Sequence, residues 1–94
     1  MLEMKESLLE ERSEMLKVLA HPIRLNLVRY LMHNGAQNVS QLQKVLDIPQ
    51  PSVSSHLGKL KRAHILESRR KGTEIFYDVD STFVIDLVEV IFHA

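Results

Sequence analysis

Asp86, Glu89 and His93 recur at i, i+3 and i+7, a spacing that sets them on one helix face with donor types that zinc accepts. Three such ligands without a thiolate make a weak site. The plainer reading is that they are the only solvated stripe of an apolar segment, so no metal and no cofactor is expected. The 94 residues include no cysteine, which excludes disulfides, thiolate metal sites and cysteine nucleophiles. There is no glycine-rich phosphate loop and no Ser, His and carboxylate order that adjoining helices would bring together, so no enzyme is expected. A different chemistry is carried by Gln50, Ser52, Ser54, Ser55 and His56, followed by Lys59 and Arg62 and then by Arg69, Arg70 and Lys71. Short polar side chains reach the edges of bases, and long cations neutralise phosphates.

The charges are segregated, although basic and acidic side chains balance at a formal net charge of zero. Between residues 49 and 72 stand Lys59, Lys61, Arg62, Arg69, Arg70 and Lys71 against Glu67 alone, whereas residues 73–94 hold five acids and neither lysine nor arginine. A basic patch therefore lies between acidic ends. An ordinary solvated face would account for such a run taken alone; its position on particular elements is what gives it meaning.

Those elements follow from spacing. Leu8, Leu9, Met15, Leu16, Val18 and Leu19 occur at a helix-compatible period over residues 2–19. Pro22 suits the first position of a second helix over 22–33, closed by Asn34-Gly35. Ser40 is the expected cap of a short helix over 41–47 that buries Leu42, Val45 and Leu46. After the turn at Ile48-Pro49-Gln50, Val53, Leu57 and Leu60 form one stripe of a helix over 51–63. That stripe leaves Ser55, Gly58, Lys59 and Arg62 on the opposite face, with Ser52 and Ser54 at its flanks and His56 on the boundary, where packing or hydrogen bonding weighs ahead of direct contact with DNA. His21 at the helix junction is expected to form a local hydrogen bond, and His33 and His64 fall near helix ends.

From Ile65 the period changes to two, predicting a hairpin of strands 65–70 and 73–79 about Lys71-Gly72. A final helix over 81–93 holds eight apolar residues between Ser81 and Phe92, too many for a half-exposed terminal helix on a monomer. The fold class expected is mainly α with a β-hairpin, a winged helix-turn-helix of order α-α-α-α-β-β-α filling residues 1–94 as one domain. The chain has no stretch apolar enough to span a bilayer and no secretory signal is expected, so no membrane partner and a cytoplasmic location are.

Leu16-Lys17-Val18-Leu19-Ala20-His21-Pro22-Ile23-Arg24 resembles the opening motif of the ArsR/SmtB transcriptional repressors, and Gln50-Pro51-Ser52-Val53-Ser54-Ser55-His56-Leu57 resembles their recognition-helix run. Arg70-Lys71-Gly72 leading to Phe76-Tyr77 resembles their wing, and together the likeness covers about residues 15–92. The resemblance implies a homodimeric repressor on a pseudo-palindromic operator in double-stranded DNA, dimerised through its first and last helices, here 2–19 and 81–93, and the apolar surface of those helices makes Leu8, Leu9, Val84, Val88 and Ile91 the candidate contacts. It carries base and phosphate contacts onto Gln50, Ser54 and Ser55, while Pro51 stands where the family commonly has serine. The family's metal ligands are replaced, by Ser81, Phe83 and Ala94 at the last helix and by Asn38-Val39-Ser40 in place of Cys-x-Cys. Two alternatives stay open: a winged helix that binds protein, and a metal-responsive repressor with a non-standard site.

Overall fold

The computed structural model describes residues 6–93, so residues 2–5 of the expected first helix, and Ala94, lie outside the described residues. Helix α1 runs Glu6–Leu19, α2 Pro22–Asn34, β1 Gln37–Asn38, α3 Val39–Leu46, α4 Gln50–Arg62, β2 Leu66–Lys71, β3 Glu74–Val79 and α5 Thr82–Phe92. The architecture is the winged helix-turn-helix that the spacing predicts, with one strand more than expected. Every position of the Val53, Leu57, Leu60 stripe is fully buried, packed with Leu27, Val28, Leu31 and Leu42 into one core. An i, i+4, i+7 stripe turns one side of α4 onto α2 and α3, and its other side is thereby committed to solvent.

Strand β1 is the addition. Its residues pair antiparallel with β3, Gln37 opposite Tyr77 and Asn38 opposite Phe76, which makes a three-stranded sheet of order β1-β3-β2. Two residues are too few to show a period of two, and the pairing is imposed by tertiary contact. Asn38 also corrects the start of α3: its side chain accepts from the Gln41 backbone N–H at 2.8 Å, and the Gln41 side chain accepts from the Asn38 N–H at 2.8 Å. This reciprocal cap displaces Ser40 into the first turn. Val45 is a second correction, being exposed where burial was expected. On a helix of eight residues the inward stripe is taken by Leu42 and Leu46 at i+4, which leaves Val45 outside it.

Asn38 has a third role, because its Nδ2 donates to Glu74 Oε1 at the base of the hairpin turn. One side chain thus caps α3 and ties the sheet to it. Asn38→Ala is expected to cost about 1 kcal/mol of unfolding free energy in urea, as cap removals do, while Asn38→Ser keeps the cap and recovers most of it. The hairpin itself closes on Gly72 at φ +66°, a left-handed conformation where any side chain would be strained.

Helix α5 starts at a Ser81 cap and lies against the core through Val84 and Val88. Arg12 of α1 stacks over the Phe83 ring at 4.0 Å, and Arg29 of α2 over the Phe92 ring at 4.3 Å, so α5 is flanked by both helices. Val84 and Val88, expected as contacts to a second copy, are instead fully enclosed by their own chain. A side chain with no exposed surface has none to offer a partner. Leu8, Leu9 and Ile91 are exposed, and Leu16, Val90 and Phe92 join them as outward apolar groups.

Candidate nucleic-acid interface

Helix α4 presents Gln50, Pro51, Ser54, Ser55, Lys59 and Arg62 to solvent, with Ser52, His56 and Gly58 half-buried along the margins. Polar residues without long side chains occupy its first two turns and cations its last two. No side chain caps the N-terminus, where Pro49 sits at the cap position. Lys61 was not singled out from the sequence. Its Nζ donates to Ser68 Oγ at 2.6 Å and so links the end of α4 to β2, fixing the sheet relative to the helix.

The register of the hairpin divides the wing's cations. Arg69 stands opposite Phe76 and Lys71 opposite Glu74, whereas Arg70 stands opposite Ile75. Directly opposed residues share a face and neighbours along a strand alternate, so Arg70 shares the face of Ser68, toward α4, and Arg69 and Lys71 share the other. Arg69 Nη2 lies 3.7 Å from Glu67 Oε2 on that outer face, an exposed pair of little energetic weight. All three cations are exposed. The face that continues the surface of α4 therefore carries Arg70, and the tip carries Lys71.

His56 sits where α4 meets the start of α2. Its Nδ1 accepts from Arg24 Nε at 3.2 Å, and its ring lies 4.9 Å from that of His21, tilted by 56°. His21 forms the junction expected of it: it caps α2, its Nδ1 accepting from the Ile23 N–H at 3.2 Å. Arg24 also donates from Nη1 to the Val18 carbonyl at 3.2 Å, so one guanidinium bridges the end of α1 and the middle of α4. Nothing in the local sequence pairs Arg24 with a residue so distant along the chain.

Burial pushes the His56 imidazole below its ordinary value of 6.5, and nearby His21, Arg24 and Lys59 push the same way. A folded-state value below the unfolded one means that the unfolded chain binds the extra proton first. The contribution of His56 to stability is thus complete above pH 6.5 and is lost as pH falls from there through the folded-state value. A ring-proton titration by NMR should place its midpoint under that of an ordinary histidine. Thermal stability should fall from pH 7 to pH 5, less steeply in His56→Gln.

Asp86 and Glu89 are exposed on α5 and His93 ends it. Among the described residues, no group of three or more His, Asp or Glu side chains is placed to hold a metal ion. No helix of the described residues is long and apolar enough to cross a membrane.

A family of helix-turn-helix domains matches residues 19–69. The chain is 39% identical over 83 residues to the transcriptional repressor PagR of Bacillus anthracis, covering 88% of this chain and 83% of PagR. The crystal structure of PagR superposes with a TM-score of 0.82, covering 88% of this chain and 94% of that one at 37% identity. The repressor BigR of Xylella fastidiosa gives a TM-score of 0.83 at 34% identity, over 99% and 94% of the two chains. A homodimeric winged helix-turn-helix DNA-binding domain from Mycobacterium bovis gives 0.83 at 26% identity, over 93% and 80%. These relatives are transcriptional regulators, not enzymes.

Proposed function

The chain belongs to the ArsR/SmtB family of winged helix-turn-helix regulators, and from that membership we propose how this dimeric, DNA-binding transcriptional repressor engages its site. Each protomer lays α4 in the major groove of one half of a pseudo-palindromic operator, in the cytoplasm. Gln50, Ser52, Ser54 and Ser55 approach base edges, His56 borders them, and Lys59 and Arg62 meet the flanking phosphates. Arg69, Arg70 and Lys71 extend the footprint along the backbone. The observation that carries this reading is the joint placement of the exposed Gln50, Ser54, Ser55 face and of Arg70 on the sheet face toward α4. A module that docks protein has no need of cations set at two places along a phosphate backbone.

The two copies are related by a two-fold axis, with α1 and α5 of each protomer at the interface, so the two α4 helices should address half-sites about one helical turn apart. Footprinting on DNA from upstream of the chain's own gene should show two protected half-sites at that spacing, unchanged by added zinc. Equal affinity for a scrambled duplex would overturn the operator reading, and a footprint that appears or vanishes with zinc would restore the metal-responsive one.

A further inference from the structure

A concavity of about 410 Å³ opens where α1, α2 and α4 meet, and four cations line it, Lys17, Arg24, Lys59 and Arg62, against the single carboxylate of Glu14. Among the described residues, no carboxylate comes within 4.0 Å of Arg24, Lys59 or Arg62, and Lys17 approaches Glu14 only to 3.8 Å. Cations gathered around a hollow repel one another, and an anion placed among them turns each repulsion into an attraction.

The two guanidinium groups are positioned by the fold, while Lys17 and Lys59 are exposed and free to swing in. Arg24 is half-buried, and two of its N–H groups are spent on His56 and on the Val18 carbonyl. That fixes the plane of its guanidinium before any ligand arrives and leaves three of five donors for the hollow it lines. Arg62 folds back across the bare backbone of Gly58, where even a Cβ would stand 3.4 Å from its Nη1. Two planar forks and two ammonium groups suit an anion with several acceptor oxygens and more than one charge. A carboxylate, with two oxygens and a single charge, can fill one fork but not all four groups.

We propose that this hollow seats one phosphate-type oxyanion, with Arg24 as the preset fork and Lys17, Lys59 and Arg62 closing round it. Because its walls belong to α1, α2 and α4, the occupant adds a link between a helix at the proposed dimer interface and the helix proposed to enter DNA. Two sources share this chemistry: a free phosphoryl-bearing small molecule and a phosphate of the DNA backbone. Only the second rests on the mode of DNA engagement proposed above.

The test titrates the intact protein with inorganic phosphate at constant ionic strength and follows the ring resonances of His56, which touches Arg24. The expected result is a saturable shift. Arg24→Gln should weaken it several-fold, and so should Lys17→Gln, whose side chain is 77% exposed and whose loss does not threaten the fold. Glu14→Gln, removing the one opposing charge, should tighten binding by about 3- to 10-fold. Lys44→Gln on α3, away from the hollow, should change nothing. A response that grows linearly with phosphate, or is the same in all four variants, overturns the proposal.

The salt dependence of duplex binding then separates the sources. A backbone phosphate in the hollow makes Lys17→Gln lower the slope of log affinity against log salt by about one per protomer. A free ligand leaves that slope unchanged and makes saturating phosphate weaken DNA binding in wild type more than in Lys17→Gln. Saturable phosphate binding in a chain that fails to select an operator would refute the function proposed above and leave the anion seat standing.

Discussion

Leu9→Glu combined with Ile91→Glu is expected to yield a folded chain that sediments as a monomer and binds its operator at least 100-fold more weakly. Helix α5 is apolar except for Thr82 and the exposed Asp86 and Glu89, and its inner side is accounted for by Val84 and Val88 in the core. What remains faces out: Val90 is 70% exposed and Ile91 45%, while Leu9 on α1 is 57% exposed. The Arg12 and Phe83 stack sets α1 against the start of α5, and both helices carry outward apolar groups. An apolar surface of this kind is stable in water only when covered. In the interface proposed above, the cover is a second copy related by two-fold symmetry.

A carboxylate in such an interface must shed its hydration without gaining a partner, and two per protomer multiply the penalty across the axis. The monomer they release engages one half-site. It forfeits the effective concentration that makes the second half-site nearly intramolecular, a gain of about 10²- to 10⁴-fold. Sedimentation velocity at micromolar concentration reads the first effect and fluorescence anisotropy on labelled operator the second, with circular dichroism showing that the helices persist. A wild-type chain that sediments near 10.9 kDa, or a double variant that stays dimeric, would refute this interface.

How far the sequence reaches is clear from α4 and α5 compared. On α4 the apolar residues are few and regularly spaced, so Val53, Leu57 and Leu60 point to the core without ambiguity and the polar face follows from geometry. On α5 apolar residues occupy every side but the narrow stripe of Asp86 and Glu89. That stripe is too narrow to say which of the remaining sides meets the core, so Val84, Val88 and Ile91 look alike in the sequence, and only packing separates the first two from the third. Asn38-x-x-Gln41 is a pattern of the kind that starts helices, and the structure uses it in place of the expected Ser40 cap because Asn38 is held at the end of β1, a strand with no sequence signal of its own. The Arg24 and His56 contact lies beyond such reasoning. It depends on α2 crossing α4, and on an angle that no local period encodes.

The recognition helix and the wing should yield to mutation in two different ways. Gln50→Ala or Ser54→Ala is expected to cost about 1–3 kcal/mol per half-site on the operator while leaving binding to random duplex nearly unchanged. Both residues are exposed in the first turns of α4, where the absence of large side chains lets the helix approach base edges closely, and a missing hydrogen bond to a base matters only where that base is present. Arg70→Ala with Lys71→Ala is expected to weaken operator and random DNA alike, and to lower the salt slope by about one for each phosphate no longer neutralised. Arg70 carries more of this effect, because it shares the sheet face toward α4, whereas Lys71 is at the tip opposite Glu74, whose charge opposes it. The register therefore sets an order within the wing: Arg70→Ala alone should reduce the slope more than Lys71→Ala alone, and Arg69→Ala, whose guanidinium already faces Glu67, least of all. Affinities for operator and scrambled duplex across several salt concentrations resolve all of these effects at once. If the wing variants lose operator binding only, or the α4 variants lose both duplexes equally, the division of roles is refuted. If Arg69→Ala proves the most damaging single change, DNA lies against the outer face of the sheet, and the placement of α4 in the groove must be redrawn with it.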